Sequence, residues 1–178
     1  MRGSDPDAAL YWLARMIDGG EDPRYIARRV VRFASEDIGA ADPVALMIAS
    51  EAARCYERLG SPEGELAIVQ AVLHCASAPK SNAVYTAWKA ALRLAKDTGS
   101  VAPPKNIFNA PTKMMKSLGY GAGYEYDHDA EDGFSGADYW PDDMERVTRY
   151  APKSVGREKA IAERMAYWAE LRAQKRGS

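Results

Sequence analysis

Apolar residues recur along this chain at spacings of three and four, the period of helices with one buried face. From Val44 they fall at Met47, Ile48, Ala52, Cys55, Tyr56 and Leu59, while Glu51, Arg54, Glu57 and Arg58 take the other side. A helix beginning at Pro43 is therefore expected to bury the first set. The stretch from Pro62 to about Ala76 differs. Leu66, Ala67, Ile68, Val69, Ala71, Val72, Leu73 and Cys75 leave only Gln70 and His74 as polar positions after its first turn. A helix apolar nearly all round is central or covered by another subunit. A fifth helix is predicted from Ser81 or Asn82 to Lys96, before Gly99 and Pro103-Pro104, and a short sixth follows Asn109-Ala110-Pro111 and stops at Gly119. A last helix over about 157–175 carries Ile161, Met165, Trp168 and Leu171 at helical spacing.

The helix starts are punctuated. Asp5-Pro6, Asp22-Pro23, Asp42-Pro43 and Ser61-Pro62 each read as an N-cap followed by the first helical residue. The side-chain oxygen accepts an orphan amide, and proline gives up an N–H that had no partner. Gly19-Gly20, Gly39 and Gly60 sit where left-handed residues would end the preceding helices. No run of β-alternation is long enough for a sheet, and no solenoid repeat aligns. The class is all-α, with six to seven helices. Residues 1–119 hold most of them, 120–156 lack helical period, and the final helix follows. The middle stretch carries Gly121, Gly123, Gly133, Gly136, Pro141 and Pro152, yet also Tyr120, Tyr124, Tyr126, Phe134, Tyr139 and Trp140. That aromatic content is foreign to a solvated linker, so the stretch is expected to wrap against helices.

At 178 residues, 47% apolar and 28% charged, the chain is a foldable single-domain length, with one core expected over 1–178. Two cysteines, Cys55 and Cys75, lie in apolar helical runs and read as reduced core thiols of a cytoplasmic protein. No apolar run reaches the 18 residues of a membrane span, and no signal core follows the N-terminus. The net charge of −1 conceals polarity. Residues 125–145 carry nine carboxylates and no Lys or Arg, whereas residues 146–178 carry nine basic against three acidic side chains. The acidic stretch reads as solvated surface, as a segment docked on a basic face, or as one that repels DNA.

Catalytic patterns are lacking. The chain has no Gly-x-x-x-x-Gly-Lys-Ser/Thr string, whose stacked amides and lysine neutralise phosphates. The glycine-rich string Gly119-Tyr120-Gly121-Ala122-Gly123 lacks a flanking strand and helix, and reads as a turn. Asp127-His128-Asp129 is the best metal candidate, but it has no second His or Cys pair to close a site. His74 reads as a hydrogen-bonded core or interface residue. No Ser or Cys has a recognisable base partner. No catalytic, cofactor or metal residue is therefore assigned.

The most informative charges are Arg24, Arg28 and Arg32, at i, i+4 and i+8, forming one stripe opposite Ile26, Val30 and Phe33. Arg29 is turned about 100° away. Like charges at this spacing repel by a few tenths of a kcal/mol per pair, so an anion is expected nearby. Three anions fit: an intramolecular carboxylate such as Glu36 or Asp37, a carboxylate across a subunit contact, or nucleic-acid phosphate.

Several strings then carry a resemblance. They are Arg2 through Met16, Glu21 through Arg29, Arg32 through Gly39, Pro62-Glu63-Gly64-Glu65, Ala78-Pro79-Lys80-Ser81-Asn82-Ala83-Val84-Tyr85 and Asn109-Ala110-Pro111-Thr112-Lys113. Together, and nearly end to end, the chain resembles the C-terminal part of the replication-associated recombination protein A family, bacterial counterparts of Werner helicase interacting protein. The resemblance implies a clamp-loader-like AAA+ ATPase acting at stalled replication forks, with this helical region assembling a homotetramer. It implies an ATPase core upstream, so ATP and Mg belong to the parent protein and not to this chain. It implies DNA and single-stranded-DNA-binding or replisome proteins as partners, and a cytoplasmic, nucleoid-associated location. One departure is Ala122, Glu125 and Asp127, where the family pattern is more cationic, which weakens the case for phosphate contact by that loop. Trp12 and Trp88, on helices with mixed faces, are the candidate inter-subunit contacts, with ordinary core packing as their other reading. Recruitment of DNA or a replication protein by Arg24, Arg28 and Arg32 is the alternative function.

Overall fold

The structure, a computed structural model, describes residues 1–108, 112–119, 121, 126–130 and 133–177. The described residues form seven α-helices and no strand: α1 Pro6–Asp18, α2 Pro23–Phe33, α3 Val44–Leu59, α4 Glu65–Ser77, α5 Ala83–Thr98, α6 Lys113–Ser117 and α7 Glu158–Gly177. The chain forms two compact units, residues 1–90 with 150–162, and residues 91–149 with 163–178.

In the first unit the Asp-Pro signals work as read. The Asp5 carboxylate accepts the Ala8 amide at 2.9 Å and that of Asp22 accepts the Arg24 amide at 2.9 Å. Asp42 accepts the Val44 amide at 3.1 Å, starting α3. The end of α1 is closed by a Schellman motif, with Gly20 N–H donating to the Ile17 carbonyl and Glu21 N–H to that of Met16. Gly20 has φ +84°, a conformation that puts no Cβ against backbone only in glycine. The fourth expected start is displaced. Residues 61–64 form a turn and α4 begins at Glu65, because the Ser61 hydroxyl engages the Tyr56 hydroxyl at 3.0 Å and caps no helix amide. The fifth helix starts at Ala83, capped by the Ser81 hydroxyl, which accepts the Ala83 amide at 3.2 Å. The Asn109-Ala110-Pro111 start expected for the sixth lies outside the described residues.

Helix α4 is central to this unit, packing on α1, α2 and α3 and burying Ile68, Ala71, Val72, Cys75 and Ala76. Burial pushes the Cys75 thiol up to about 11, so it stays a neutral core thiol, while Cys55 is half-buried. Helix α2 buries Ile26, Ala27, Val30 and Phe33 as its pattern requires, then widens into a π turn over Ala34–Ile38.

The expected face of α3 is corrected. Its fully buried row is Ala45, Ala49 and Ala52, whereas Val44, Met47 and Leu59 are exposed and Ile48 and Tyr56 half-buried. The small alanine side chains suit close contact of α3 with its neighbours, α4 foremost, where interdigitated atoms gain dispersion contact.

In the second unit the long irregular segment is tied down locally. Phe134 stacks on Trp168 of α7, and Asn106 Nδ2 donates to the Asp138 carbonyl at 2.9 Å. Asp127 accepts both the Ser135 amide (2.9 Å) and its hydroxyl (2.6 Å), and these bonds hold its carboxyl below the ordinary range. Phe134 and Trp140 are half-buried, but Tyr126 and Tyr139 stay exposed. Tyr120 and Tyr124 lie outside the described residues.

Candidate interaction surfaces

The arginine stripe on α2 is satisfied largely by its own neighbours. Arg24 forks onto the Asp22 cap, with Nη2 at 3.0 Å from Oδ2. This bond and the Arg24 amide hold the Asp22 carboxyl below the usual carboxylate range. Arg32 Nε lies 2.9 Å from Glu36 Oε2 in the π turn, so one of the carboxylates expected to balance the stripe does so. Asp37 is instead taken by Arg2 through two hydrogen bonds, 2.9 and 3.1 Å. Arg28 packs its guanidinium over the Tyr25 ring at 5.3 Å. Arg29, on a different face, lines a groove of about 370 Å³ with Trp12, Met16, Ile26 and Val30.

Both candidate tryptophans are on the surface. Trp12 is 64% exposed and Trp88 62%, so the core reading of each gives way to a solvent-facing position. On α1, Tyr11 and Met16 are exposed beside Trp12, and the Tyr11 and Trp12 rings meet edge to face at 5.4 Å. A second groove of about 400 Å³, lined by Leu10, Ile17, Pro62, Leu66 and Val69, flanks the opposite side of α1. Leu66 is 72% exposed although α4 is otherwise central. On α5, exposed Val84 stands one turn from Trp88.

Each of the two histidines has a side-chain neighbour. His74 Nε2 lies 2.8 Å from Asp42 Oδ2, tying α4 to the start of α3. Asp127-His128-Asp129 forms a short 3-10 turn, with His128 against the Tyr126 ring. Among the described residues no group of three His, Cys, Asp or Glu could hold a metal ion.

Sequence reading missed one cluster. Glu158, at the first turn of α7, is fully buried. Its carboxylate accepts the Ser81 hydroxyl at 2.6 Å, the Lys153 amide at 2.8 Å and the Tyr150 hydroxyl at 3.1 Å. Buried glutamate is rare unless partnered. Nothing local marks it out, since it stands between Arg157 and Lys159 and reads as solvated charge. Ser81 was visible as a candidate helix start and as part of a resembling string, not as a partner of Glu158.

The Gly121 amide donates to the Lys105 carbonyl at 2.9 Å, and the sequence has no Gly-x-x-x-x-Gly-Lys-Ser/Thr string. Ala122, Gly123 and Glu125 lie outside the described residues.

The fold and these surfaces define an all-helical module with exposed aromatic rows, and among the described residues no helix is long and apolar enough to cross a membrane. The chain belongs to the family described as MgsA AAA+ ATPase C terminal, which matches residues 3–169. It is 57% identical over 175 residues to replication-associated recombination protein A of Coxiella burnetii, covering 98% of this chain and 40% of that protein. The same-named protein of Escherichia coli K12 is 48% identical over 171 residues, 96% of this chain and 38% of the relative. ATPase WRNIP1 of Dictyostelium discoideum is 44% identical over 162 residues, 89% and 17% of the respective lengths. The chain therefore spans about two fifths of the bacterial relatives.

Proposed function

We propose that this chain is the tetramerisation module of an AAA+ ATPase that acts in DNA replication, recombination and repair at stalled forks. ATP and Mg are bound by the remainder of the protein, and this module supplies no catalytic group. The observation that supports the assembly role is the pair of exposed tryptophans set in apolar rows on α1 and α5. Contiguous apolar surface of this kind marks an interface more often than a solvated face, and aromatic anchors dominate interface energetics. Joining the modules would hold the ATPase heads at high effective concentration, in a closed symmetric assembly.

Sedimentation equilibrium of this chain is expected to give a tetramer at micromolar concentration. Trp12→Ala and Trp88→Ala should each weaken assembly by about tenfold or more, with helical content unchanged by circular dichroism. A monomer at tens of micromolar would overturn the reading.

Recruitment of DNA or an acidic protein tail is the second reading, favoured by Arg28, which packs on Tyr25 while Arg24 and Arg32 take carboxylates. Arg28→Glu separates the two. Lost DNA or peptide binding with an intact tetramer supports recruitment, and dissociation supports an interface contact.

A further inference from the structure

On the part of α7 in the second unit, charge is segregated by helical position. Arg164, Trp168, Arg172 and Lys175 fall within about 40° of the Trp168 direction, at 100° per residue. Glu163 and Glu170 fall about 140° or more away by the same count. The guanidinium of Arg164 lies over the Trp168 ring at 6.0 Å. The cationic side is not bare. Phe134, from the acidic stretch, stacks on Trp168 with centroids 6.2 Å apart and planes 14° from parallel, and Arg172 lies over the Phe134 ring at 5.0 Å. Gly136, two residues on, is buried against the Lys175 side chain. The bonds from Ser135 to Asp127 hold this insertion in shape.

A planar ring stacked on an aromatic side chain, capped by guanidinium and carried on an anionic chain, has the chemistry of a nucleotide on a single-strand platform. The stretch that presents Phe134 includes Asp127, Asp129, Asp138, Asp142, Asp143 and Glu145. We propose that the Arg164–Trp168–Arg172 face of α7 binds single-stranded nucleic acid, and that the acidic stretch around Phe134 occupies it as an intramolecular competitor. The strand replaces Phe134 with a base and brings its phosphates to the cationic side of α7. A segment held by one ring and a few hydrogen bonds is displaceable, whereas a packed core helix is not. None of these residues belongs to the α1 or α5 rows, so the binding stands or falls independently of the tetramer.

The test is anisotropy of a fluorescein-labelled oligothymidylate titrated with this chain at low salt. Phe134→Ala is expected to raise affinity about threefold or more, and Trp168→Ala added to it should remove that gain and a further factor of roughly ten, the size of one lost stack. Adding Arg28→Glu instead should leave the gain intact, which separates this face from the α2 stripe. Arg164→Glu, at an exposed position of α7, probes the face without disturbing Phe134 and should lower affinity in the otherwise unchanged chain by about threefold or more. The proposal is overturned if Phe134→Ala binds no more tightly, if the gain survives Trp168→Ala, if Arg164→Glu has no effect, or if duplex of the same length binds equally well, since a paired base offers no free face. Polyglutamate bound as tightly as the oligonucleotide, regardless of Trp168, would reduce the face to a nonspecific cationic patch and also overturn it.

Discussion

Replacing Glu158 with alanine is expected to lower unfolding stability by about 3 kcal/mol or more, the size seen when a hydrogen-bonded buried charge is removed and its partners are left behind. Three donors lose their acceptor at once: the Ser81 and Tyr150 hydroxyls and the Lys153 amide. The loss reaches beyond the carboxylate. Ser81 also caps α5, and the Lys153 ammonium donates to Asn82 Oδ1 at 2.8 Å, so the same bonds pin residues 150–158 to the start of α5. Glu158→Gln should lose roughly half as much, because an amide oxygen still accepts one or two of these bonds. Urea denaturation reads the result directly. A midpoint for Glu158→Ala within error of the parent chain would show that the cluster is not a fastening.

The same cluster has an alkaline limit. Burial and the Glu158 carboxylate push the Tyr150 hydroxyl up to about 12, above its ordinary value near 10. A group whose pKa is raised by folding contributes its full stabilisation below the unfolded value and loses it as pH rises through the folded one. Stability should therefore fall between about pH 10 and 12, and Tyr150→Phe should flatten that fall. Equal alkaline slopes for the two chains would remove Tyr150 from the account.

Gly156→Ala carries the second large effect. A Cβ built there would lie 2.3 Å from the Ala41 carbonyl oxygen and 2.7 Å from Pro79 Cγ, at φ +50°. That carbonyl already accepts the Arg157 amide at 2.8 Å, so it is held in place and does not swing aside. Left-handed strain of about 1 kcal/mol adds to an overpacking cost of about 1–3 kcal/mol. The expected outcome is a loss of about 3 kcal/mol, or detachment of residues 150–158 with a smaller loss. Hydrogen exchange distinguishes these outcomes, since detachment exposes the Lys153 and Arg157 amides. Unchanged melting and unchanged exchange would contradict the tight path of the chain.

The helix ends were legible because their causes lie within a few residues. Asp5, Asp22 and Asp42 each accept an amide two or three positions ahead, and Gly20 closes α1 through the residues just before it. Ser61 carried the same local signal and failed, because Tyr56 offered its hydroxyl a partner. The buried face of α3 was misread for a different reason. Alanines at 45, 49 and 52 add little to an apolar pattern, yet they are what close packing against α4 selects. Large exposed residues such as Met47 and Trp12 then look like core. Of the candidate surfaces, the arginine stripe was legible, but its partners Asp22 and Glu36 were only partly foreseen.

The sequence by itself determined an all-helical chain, most of its helix boundaries, its charge asymmetry and its membership of the MgsA C-terminal family. Each follows from short-range periodicity, capping or string similarity. Tertiary structure alone decided that Glu158 is a buried acceptor for Ser81, 77 positions away, that Trp12 and Trp88 face solvent, and that Phe134 stacks on Trp168. A residue's burial and partners depend on which distant surfaces arrive beside it, and packing between helices, unlike capping within one, leaves no fixed spacing in the chain.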